Sequence, residues 1–199
     1  MTKIYGEDFN IAHIEPRSHI YGPGERFVIW FQGCALACDG CWNRDMWSFK
    51  NKQLVYRDNL LEQILDTPNI KGVTFLGGEP LHQSDNLWWL IREIRERSNL
   101  TIFLFTGYEE DELKQQNQLS SIHEFCDIAA IGRYRQDERN INQQWIGSDN
   151  QMIIYPDGSR EKMKPQKINQ VEIIIDSDES VRILGFPDED LKRDLSRSF

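Results

Sequence analysis

One loop constrains this chain more than any other feature, because it places three thiols within eight residues. Cys34, Cys38 and Cys41 have the spacing C-x3-C-x2-C, and they directly follow the apolar run 26–32, which predicts a buried strand. Ligand sites of parallel α/β folds lie at the carboxyl ends of strands. Three thiolates on one short loop can bind three corners of an iron–sulfur cubane and leave the fourth iron open. The loop therefore predicts a [4Fe–4S] site at one edge of a sheet.

Two other metal sites fit these cysteines less well. A structural zinc site needs four ligands, usually in two separated pairs, so His82 or another histidine would have to complete it. An electron-transfer ferredoxin uses four cysteines in a different spacing. The remaining cysteine, Cys126, lies alone near an apolar stretch, which is typical of a buried and unreactive thiol.

The order of the apolar segments predicts an α/β fold. Strand patterns alternate with helical patterns that begin near Asp58, Ser84 and Glu109. This alternation is typical of βαβ units around a parallel sheet. The predicted strands are 11–14, 26–32, 73–76, 100–105, 127–131 and 151–155.

The pattern changes near Pro165. Two apolar segments, 171–175 and 181–184, flank a polar turn, which predicts a β-hairpin. We therefore predict a main α/β domain over 1–164 and a small C-terminal β-hairpin and tail over 165–199. The hairpin is expected to be an appendage, not a second catalytic domain.

The charge of the chain bears on its partners. Lysine and arginine number 23 against 32 aspartates and glutamates, so the formal net charge is −9. An acidic surface repels phosphate backbones, which argues against nucleic-acid binding and suits a protein partner with a basic face. The longest apolar runs, such as 27–31, are too short to span a bilayer, and charges interrupt the first ten residues. We expect a cytoplasmic protein with no membrane segment.

A second motif lies one predicted βα unit after the cysteine loop. Gly77-Gly78-Glu79-Pro80 follows the strand 73–76. Together with C-x3-C-x2-C, it resembles the GGE motif of the radical S-adenosylmethionine superfamily. The resemblance implies a partial (β/α) barrel whose three cysteines hold a [4Fe–4S] cluster, with S-adenosylmethionine on the open iron. Reductive cleavage there would yield methionine and a 5′-deoxyadenosyl radical.

The resemblance also implies which residues bind S-adenosylmethionine. In the superfamily, bare backbone approaches the methionyl amino group of the cofactor, which explains the need for glycine. The contacts implied for this chain come from Gly40, Trp42, Gly77, Gly78 and Glu79.

Further segments resemble one branch of that superfamily, the activating proteins of anaerobic ribonucleotide reductase. The resemblance covers about residues 20–155. It implies an activase that generates a glycyl radical on a large partner enzyme, such as an anaerobic ribonucleoside-triphosphate reductase, with an electron donor such as flavodoxin or ferredoxin. The matching segments are 22–26 (Gly-Pro-Gly-x-Arg), 40–43 (Gly-Cys-Trp-Asn), 106–108 (Thr-Gly-Tyr) and 145–151 (Trp-Ile-Gly-Ser-Asp-Asn-Gln).

Two alternatives to the activase remain open. A radical S-adenosylmethionine enzyme that acts directly on a small nucleotide-like molecule or a peptide would have a closed polar pocket over the cluster. An open, flat cluster face would instead favour the activase. The second alternative is a non-catalytic metal-binding module that docks to a partner. Because the chain is short, we expect little material to enclose a substrate, which favours a macromolecular one.

Overall fold

The computed structural model describes residues 5–175, 180–185, 187, 190, 191 and 193. Within these residues, seven strands form one sheet and two more form a separate hairpin. The strands are β1 (Asp8–Ser18), β2 (Arg26–Phe31), β3 (Gln53–Tyr56), β4 (Gly72–Gly77), β5 (Thr101–Thr106), β6 (Ile128–Ile131), β7 (Met152–Ile154), β8 (Val171–Ile175) and β9 (Val181–Gly185). The α-helices are α1 (Arg57–Asp66), α2 (Ser84–Arg97), α3 (Glu110–Gln115) and α4 (Gln118–Phe125).

The large sheet is mixed, with strand order β3-β1-β2-β4-β5-β6-β7. Its central strands β2, β4, β5 and β6 are parallel neighbours, whereas β1, β3 and β7 pair antiparallel at the two sides. The predicted α/β class is confirmed, but the sheet is not wholly parallel. The connections from β1 to β2 and from β6 to β7 contain no α-helix, and such connections join antiparallel strands. The pairing of the described strands gives an open sheet, with β3 and β7 at its edges.

Both faces of the central sheet are covered, which explains why β2 is buried at every position. Phe27, Ile29 and Phe31 pack on the side that carries the apolar faces of the helices. Val28 and Trp30 point to the opposite side, where they form a second cluster with Leu76 and Leu184. The C-terminal hairpin therefore covers the sheet face that the helices leave open.

Several element boundaries differ from the sequence-based expectation. Strand β3 and helix α4 are not predicted by the patterns above. Asp58 lies inside the first turn of α1, and Tyr56 occupies the N-cap position. Helix α3 has a capping box between Glu109 and Glu112. No described helix has the length and apolar composition that crossing a bilayer requires.

Polar contacts hold the hairpin to the sheet. The Ser18 hydroxyl donates to Glu172 at 2.5 Å, Arg182 pairs with Glu15 at 2.5 Å, and the Gly185 N–H donates to the Tyr21 hydroxyl at 2.9 Å. Strands β8 and β9 pair antiparallel as predicted. Most of the predicted turn, residues 176–179, lies outside the described residues.

Candidate functional site

Parallel pairing brings the two sequence motifs to the same edge of the sheet. Phe31 at the end of β2 lies opposite Gly77 at the end of β4. The cysteine loop continues from β2, and the Gly77–Glu79 turn continues from β4, so the loop and the turn are neighbours. The Gly78 N–H donates to the Phe31 carbonyl at 2.8 Å, and the Glu79 N–H donates to the Gly33 carbonyl at 3.0 Å.

The cysteine loop has a backbone that turns sharply. Gly33, Ala37 and Gly40 all have positive φ values, of 106°, 47° and 70°. The three thiols are free and half-buried. A glycine N–H on such a loop can donate to a cluster sulfide, but the Gly33 N–H already donates to the Met46 carbonyl at 2.8 Å. Gly33 is therefore tied to the following loop, and Gly40 remains the candidate donor.

All eight residues that the sequence assigns to cluster or cofactor binding line one cavity of about 460 Å³. Trp42 lies at its margin and is 49% exposed. The structure thus brings together two motifs that lie 36 residues apart in the chain, from Cys41 to Gly77. The lining residues in question are Cys34, Cys38, Gly40, Cys41, Trp42, Gly77, Gly78 and Glu79.

Close backbone contacts require glycine at positions 77 and 78 even when no ligand is bound. A Cβ on Gly78 would lie 2.6 Å from the Gly33 carbonyl oxygen, and one on Gly77 would lie 2.5 Å from the Phe31 nitrogen. These contacts are with backbone, which has little freedom to move aside. The glycines are therefore needed to pack the turn after β4 against the cysteine loop, whether or not a cofactor approaches them.

Glu79 is fully engaged by protein donors. Its Oε1 accepts hydrogen bonds from the Leu81 N–H at 2.9 Å and the Thr106 hydroxyl at 3.0 Å, and its Oε2 accepts from the Gly107 N–H at 2.8 Å. The side chain is 1% exposed, and burial raises its pKa to about 7. The carboxylate thus joins the turns after β4 and β5. This gives Thr106 a partner that the sequence did not predict.

The histidine weighed as a fourth ligand lies elsewhere. His82 is 3% exposed, its Nε2 lies 3.2 Å from the Tyr108 hydroxyl, and it is not among the residues that line the cavity. In the described part of the chain, no group of three or more His, Cys, Asp or Glu side chains is arranged around a single metal ion. A cluster differs from a single ion in that each cysteine binds a separate iron, so the thiols need not converge on one point.

Burial disfavours the thiolate form of two of the cysteines, Cys34 and Cys38. Burial raises the pKa of Cys34 to about 11, and burial followed by the neighbouring Cys41 raises the pKa of Cys38. Metals bind the thiolate, so metal binding has to displace these protons. The donor set of three free thiols on one loop, facing a cavity of about 460 Å³, fits a three-cysteine cluster.

The sequence missed one side of the cavity. Residues from the polar loop after β6 and from the C-terminal segment also line it, including Gln144, Asn169, Gln170 and Gly185. The C-terminal segment therefore contributes to the cavity wall, which the short length of the chain did not lead us to expect. The missed signal is long-range: it depends on contacts between the loop near 144 and the segment 166–170 that no local pattern reveals.

The fold and site define a class of protein, an iron–sulfur protein with a single-cluster domain. The family described as "4Fe-4S single cluster domain" matches residues 20–154, about two thirds of the chain. Similarity to known proteins identifies one family within this class. The chain belongs to the family of anaerobic ribonucleoside-triphosphate reductase-activating proteins.

Two relatives show the extent of the match. The activating protein of Enterobacteria phage T4 is 32% identical over 154 residues, which cover 72% of this chain and 92% of the relative. That of Haemophilus influenzae is 32% identical over 152 residues, which cover 72% of this chain and 96% of the relative. Among solved structures, QueE from Escherichia coli has a TM-score of 0.34 and 17% identity over 51% of this chain and 52% of that one, a likeness too low to bear on the fold.

Proposed function

We propose that this chain is a radical S-adenosylmethionine activase that generates a glycyl radical on a large partner enzyme, such as an anaerobic ribonucleoside-triphosphate reductase. One observation carries the proposal: the cysteine loop and the Gly77–Glu79 turn meet in one cavity of about 460 Å³. The family membership supports it, since the relatives are named as activators of that reductase. The open mixed sheet would be the partial (β/α) barrel of the superfamily.

The residues of the site have distinct roles in this proposal. Cys34, Cys38 and Cys41 would hold the cluster, which, once reduced by the external donor, would supply the one electron needed to cleave S-adenosylmethionine to methionine and a 5′-deoxyadenosyl radical. The Gly77–Glu79 turn and Gly40 bound the space for S-adenosylmethionine, and Trp42 lies at its edge. Apolar residues of the cavity wall, such as Leu36 and Phe105, exclude water from a reactive intermediate. The electron donor, a flavodoxin or ferredoxin, docks from outside.

The cluster assignment is tested by iron and sulfide analysis after anaerobic reconstitution. We expect Cys34→Ala, Cys38→Ala and Cys41→Ala each to lose the stable four-iron form. Cys126→Ala is the matched control. That thiol is buried in the main core with Ile102 and Ile122, and it does not line the cavity. Cluster loss in Cys126→Ala alone would contradict the assignment.

A second function is favoured by one feature of the cavity. Its walls include the C-terminal segment, so the site is not the open, flat face expected for an activase. A radical S-adenosylmethionine enzyme that acts directly on a small molecule or a peptide would have such walls. Electron paramagnetic resonance separates the two: reduced protein, S-adenosylmethionine and the candidate reductase should give a glycyl doublet on the reductase. Turnover of a small molecule with no doublet would favour the second function.

A further inference from the structure

A second groove adjoins the cavity, and the two share Cys38 as part of their walls. Arg133 lines this groove but does not line the cavity. A charge on Arg133 can therefore act on the Cys38 sulfur without contacting a molecule that occupies the cavity. The charged residues that line the groove are Asp39, Glu109, Arg133, Arg135 and Asp137.

Both carboxylates of the α3 capping box hold Arg133 in place. The residue lies two positions after the end of β6, where its N–H donates to Glu109 Oε1 at 3.3 Å. Its guanidinium donates to both oxygens of Glu112, to one of them at 2.8 Å, a bidentate geometry that fixes the orientation of an arginine. The Asn150 side-chain amide donates to the Arg133 carbonyl at 2.8 Å. Backbone and side chain are both anchored, so the position of the positive charge is defined.

Arg133 acts on Cys38 electrostatically. Burial and the neighbouring Cys41 raise the pKa of Cys38, whereas a hydrogen bond from the Tyr134 backbone N–H and the charge of Arg133 lower it. Tyr134 and Arg133 therefore favour negative charge on this sulfur. The Arg133 side chain is 33% exposed, so solvent screens part of its charge but not all of it. The function proposed above gives Arg133 no role.

We propose that Arg133, acting through Cys38, raises the reduction potential of the [4Fe–4S] cluster that the three cysteines hold. The proposal rests on the proposed function and adds a positioning residue to that same site. Reduction adds one electron from the external donor, a flavodoxin or ferredoxin, which is oxidised in the step, and no proton has to move. The reduced state carries one more negative charge, which a nearby cation stabilises. Removal of that cation should make the cluster harder to reduce.

The test is a redox titration of the anaerobically reconstituted full chain without S-adenosylmethionine, in which electron paramagnetic resonance follows the reduced cluster. Arg133→Gln removes the positive charge but keeps side-chain N–H donors for Glu112. Its midpoint potential should become more negative by about 59 mV, which corresponds to a tenfold lower ratio of reduced to oxidised cluster at a fixed potential. An effect of this size is within the range that Coulomb's law gives for a partly screened charge close to the cluster.

Two further variants separate the charge of Arg133 from its structural role. Arg133→Lys keeps the positive charge but loses the bidentate bond, so the ratio of reduced to oxidised cluster should change less than about twofold. Glu112→Gln removes the negative charge that offsets Arg133, so the potential should become more positive. A loosened loop does not explain shifts of opposite sign in Arg133→Gln and Glu112→Gln.

Arg135→Gln is the matched control, because Arg135 lines the same groove and the substitution removes the same charge. Arg135 is 52% exposed and pairs with Glu138 at 2.9 Å, so solvent and this carboxylate screen it. The ratio of reduced to oxidised cluster should change less than about twofold in this variant.

The iron content of every variant is measured before the titration. An unchanged potential in Arg133→Gln, an equal shift in Arg133→Lys, or a more negative potential in Glu112→Gln would each overturn the proposal. If Arg133→Gln does not assemble a cluster, Glu112→Gln and Arg133→Lys still decide it, because only a role of the charge predicts a positive shift in the first and almost none in the second.

The failure of this proposal and the failure of the proposed function give different results. S-adenosylmethionine and dithionite are added to the same samples, and 5′-deoxyadenosine is measured. If wild type forms 5′-deoxyadenosine but the potentials of the variants do not differ, only the inference about Arg133 fails. If wild type holds a cluster but forms no 5′-deoxyadenosine, the proposed function fails, and the potentials alone decide whether Arg133 acts on the cluster.

Discussion

At the scale of single residues, Glu79 joins the two turns that border the cavity, because its carboxylate accepts hydrogen bonds from both. Leu81 N–H comes from its own turn, and the Thr106 hydroxyl and Gly107 N–H come from the turn after β5. A buried donor that loses its acceptor costs about 1–3 kcal/mol. The sequence assigned Glu79 to cofactor binding, and that assignment stays a prediction. The structure adds a positioning role.

Replacement of Glu79 should therefore destabilise the fold even without cofactor. We expect Glu79→Ala to lower the free energy of unfolding by about 3 kcal/mol, because three buried donors lose their acceptor. Glu79→Gln keeps one acceptor oxygen and should lose roughly half as much. The exposed Glu124 on α4 gives a control, Glu124→Ala, which should change little. Urea unfolding of the reduced, metal-free protein measures all three, and equal values for Glu79→Ala and Glu124→Ala would contradict the role.

The same residue predicts a pH dependence of stability. Burial raises the pKa of Glu79 from 4.5 to about 7. Between these values the folded protein binds more protons than the unfolded chain, so the free energy of unfolding falls as pH rises through this window. Glu79→Gln has no such proton. The wild-type value minus the variant value should therefore decrease from pH 4.5 to 7, as followed by urea unfolding. A difference that grows with pH would contradict a raised pKa of Glu79.

At the scale of elements, the loops that follow β2 and β4 lie so close together that residue 78 has no room for a side chain. Gly78 has an ordinary backbone conformation, but its Cβ position is occupied by the Gly33 carbonyl. Gly33 in turn begins the cysteine loop. A side chain at residue 78 has to push the loop away, so the geometry of the thiols depends on the glycine turn.

Gly78→Ala should lower both stability and cluster content. Overpacking against backbone costs roughly 1–3 kcal/mol, and displacement of the loop should reduce the iron bound per chain. Gly158→Ala is the matched control, because a Cβ there meets nothing within 4 Å. Urea unfolding and iron analysis after anaerobic reconstitution measure the two effects. Full iron content in Gly78→Ala would mean that the turn does not position the thiols.

At the scale of the whole molecule, the C-terminal hairpin completes the second face of the sheet. Leu184 is 8% exposed and packs with Val28, Trp30 and Leu76, whereas the adjacent Ile183 points away and is 37% exposed. The hairpin thus contributes both a small core and a cavity wall. Docking of the hairpin on the sheet should therefore depend on Leu184 and not on Ile183.

Leu184→Ala should loosen the hairpin without unfolding the sheet. Loss of a buried leucine costs roughly 2–5 kcal/mol, which is enough to release an element that has a small core. Hydrogen exchange of the backbone amides in β8 and β9 should accelerate, whereas that of β4 and β5 should not. Ile183→Ala, the neighbouring control, should exchange like wild type. Equal protection of the hairpin in both variants would mean that the polar contacts alone hold it.

Much of this protein follows from short stretches of its sequence. The spacing of apolar residues predicts β2, β4, β5, β6 and α2, because the pattern of a buried strand or of an amphipathic helix is visible within about ten residues. The cysteine spacing predicts iron–sulfur chemistry because ligands on one loop are fixed locally. The parallel order of these units then places both motifs at one sheet edge. The eight candidate site residues are accordingly found together.

Only the tertiary structure decides the rest, because it depends on partners far apart in the chain. Arg26 is fully buried, where it donates to the Val73 and Thr101 carbonyls, both at 2.8 Å, and no local pattern predicts a charged core residue. Burial lowers its pKa to about 10. The bond from Gln144 to Gln170 spans 26 residues and creates a wall that the local patterns did not predict. Such contacts form only when the sheet has already brought distant segments together, so their chemistry is invisible in any short window of sequence.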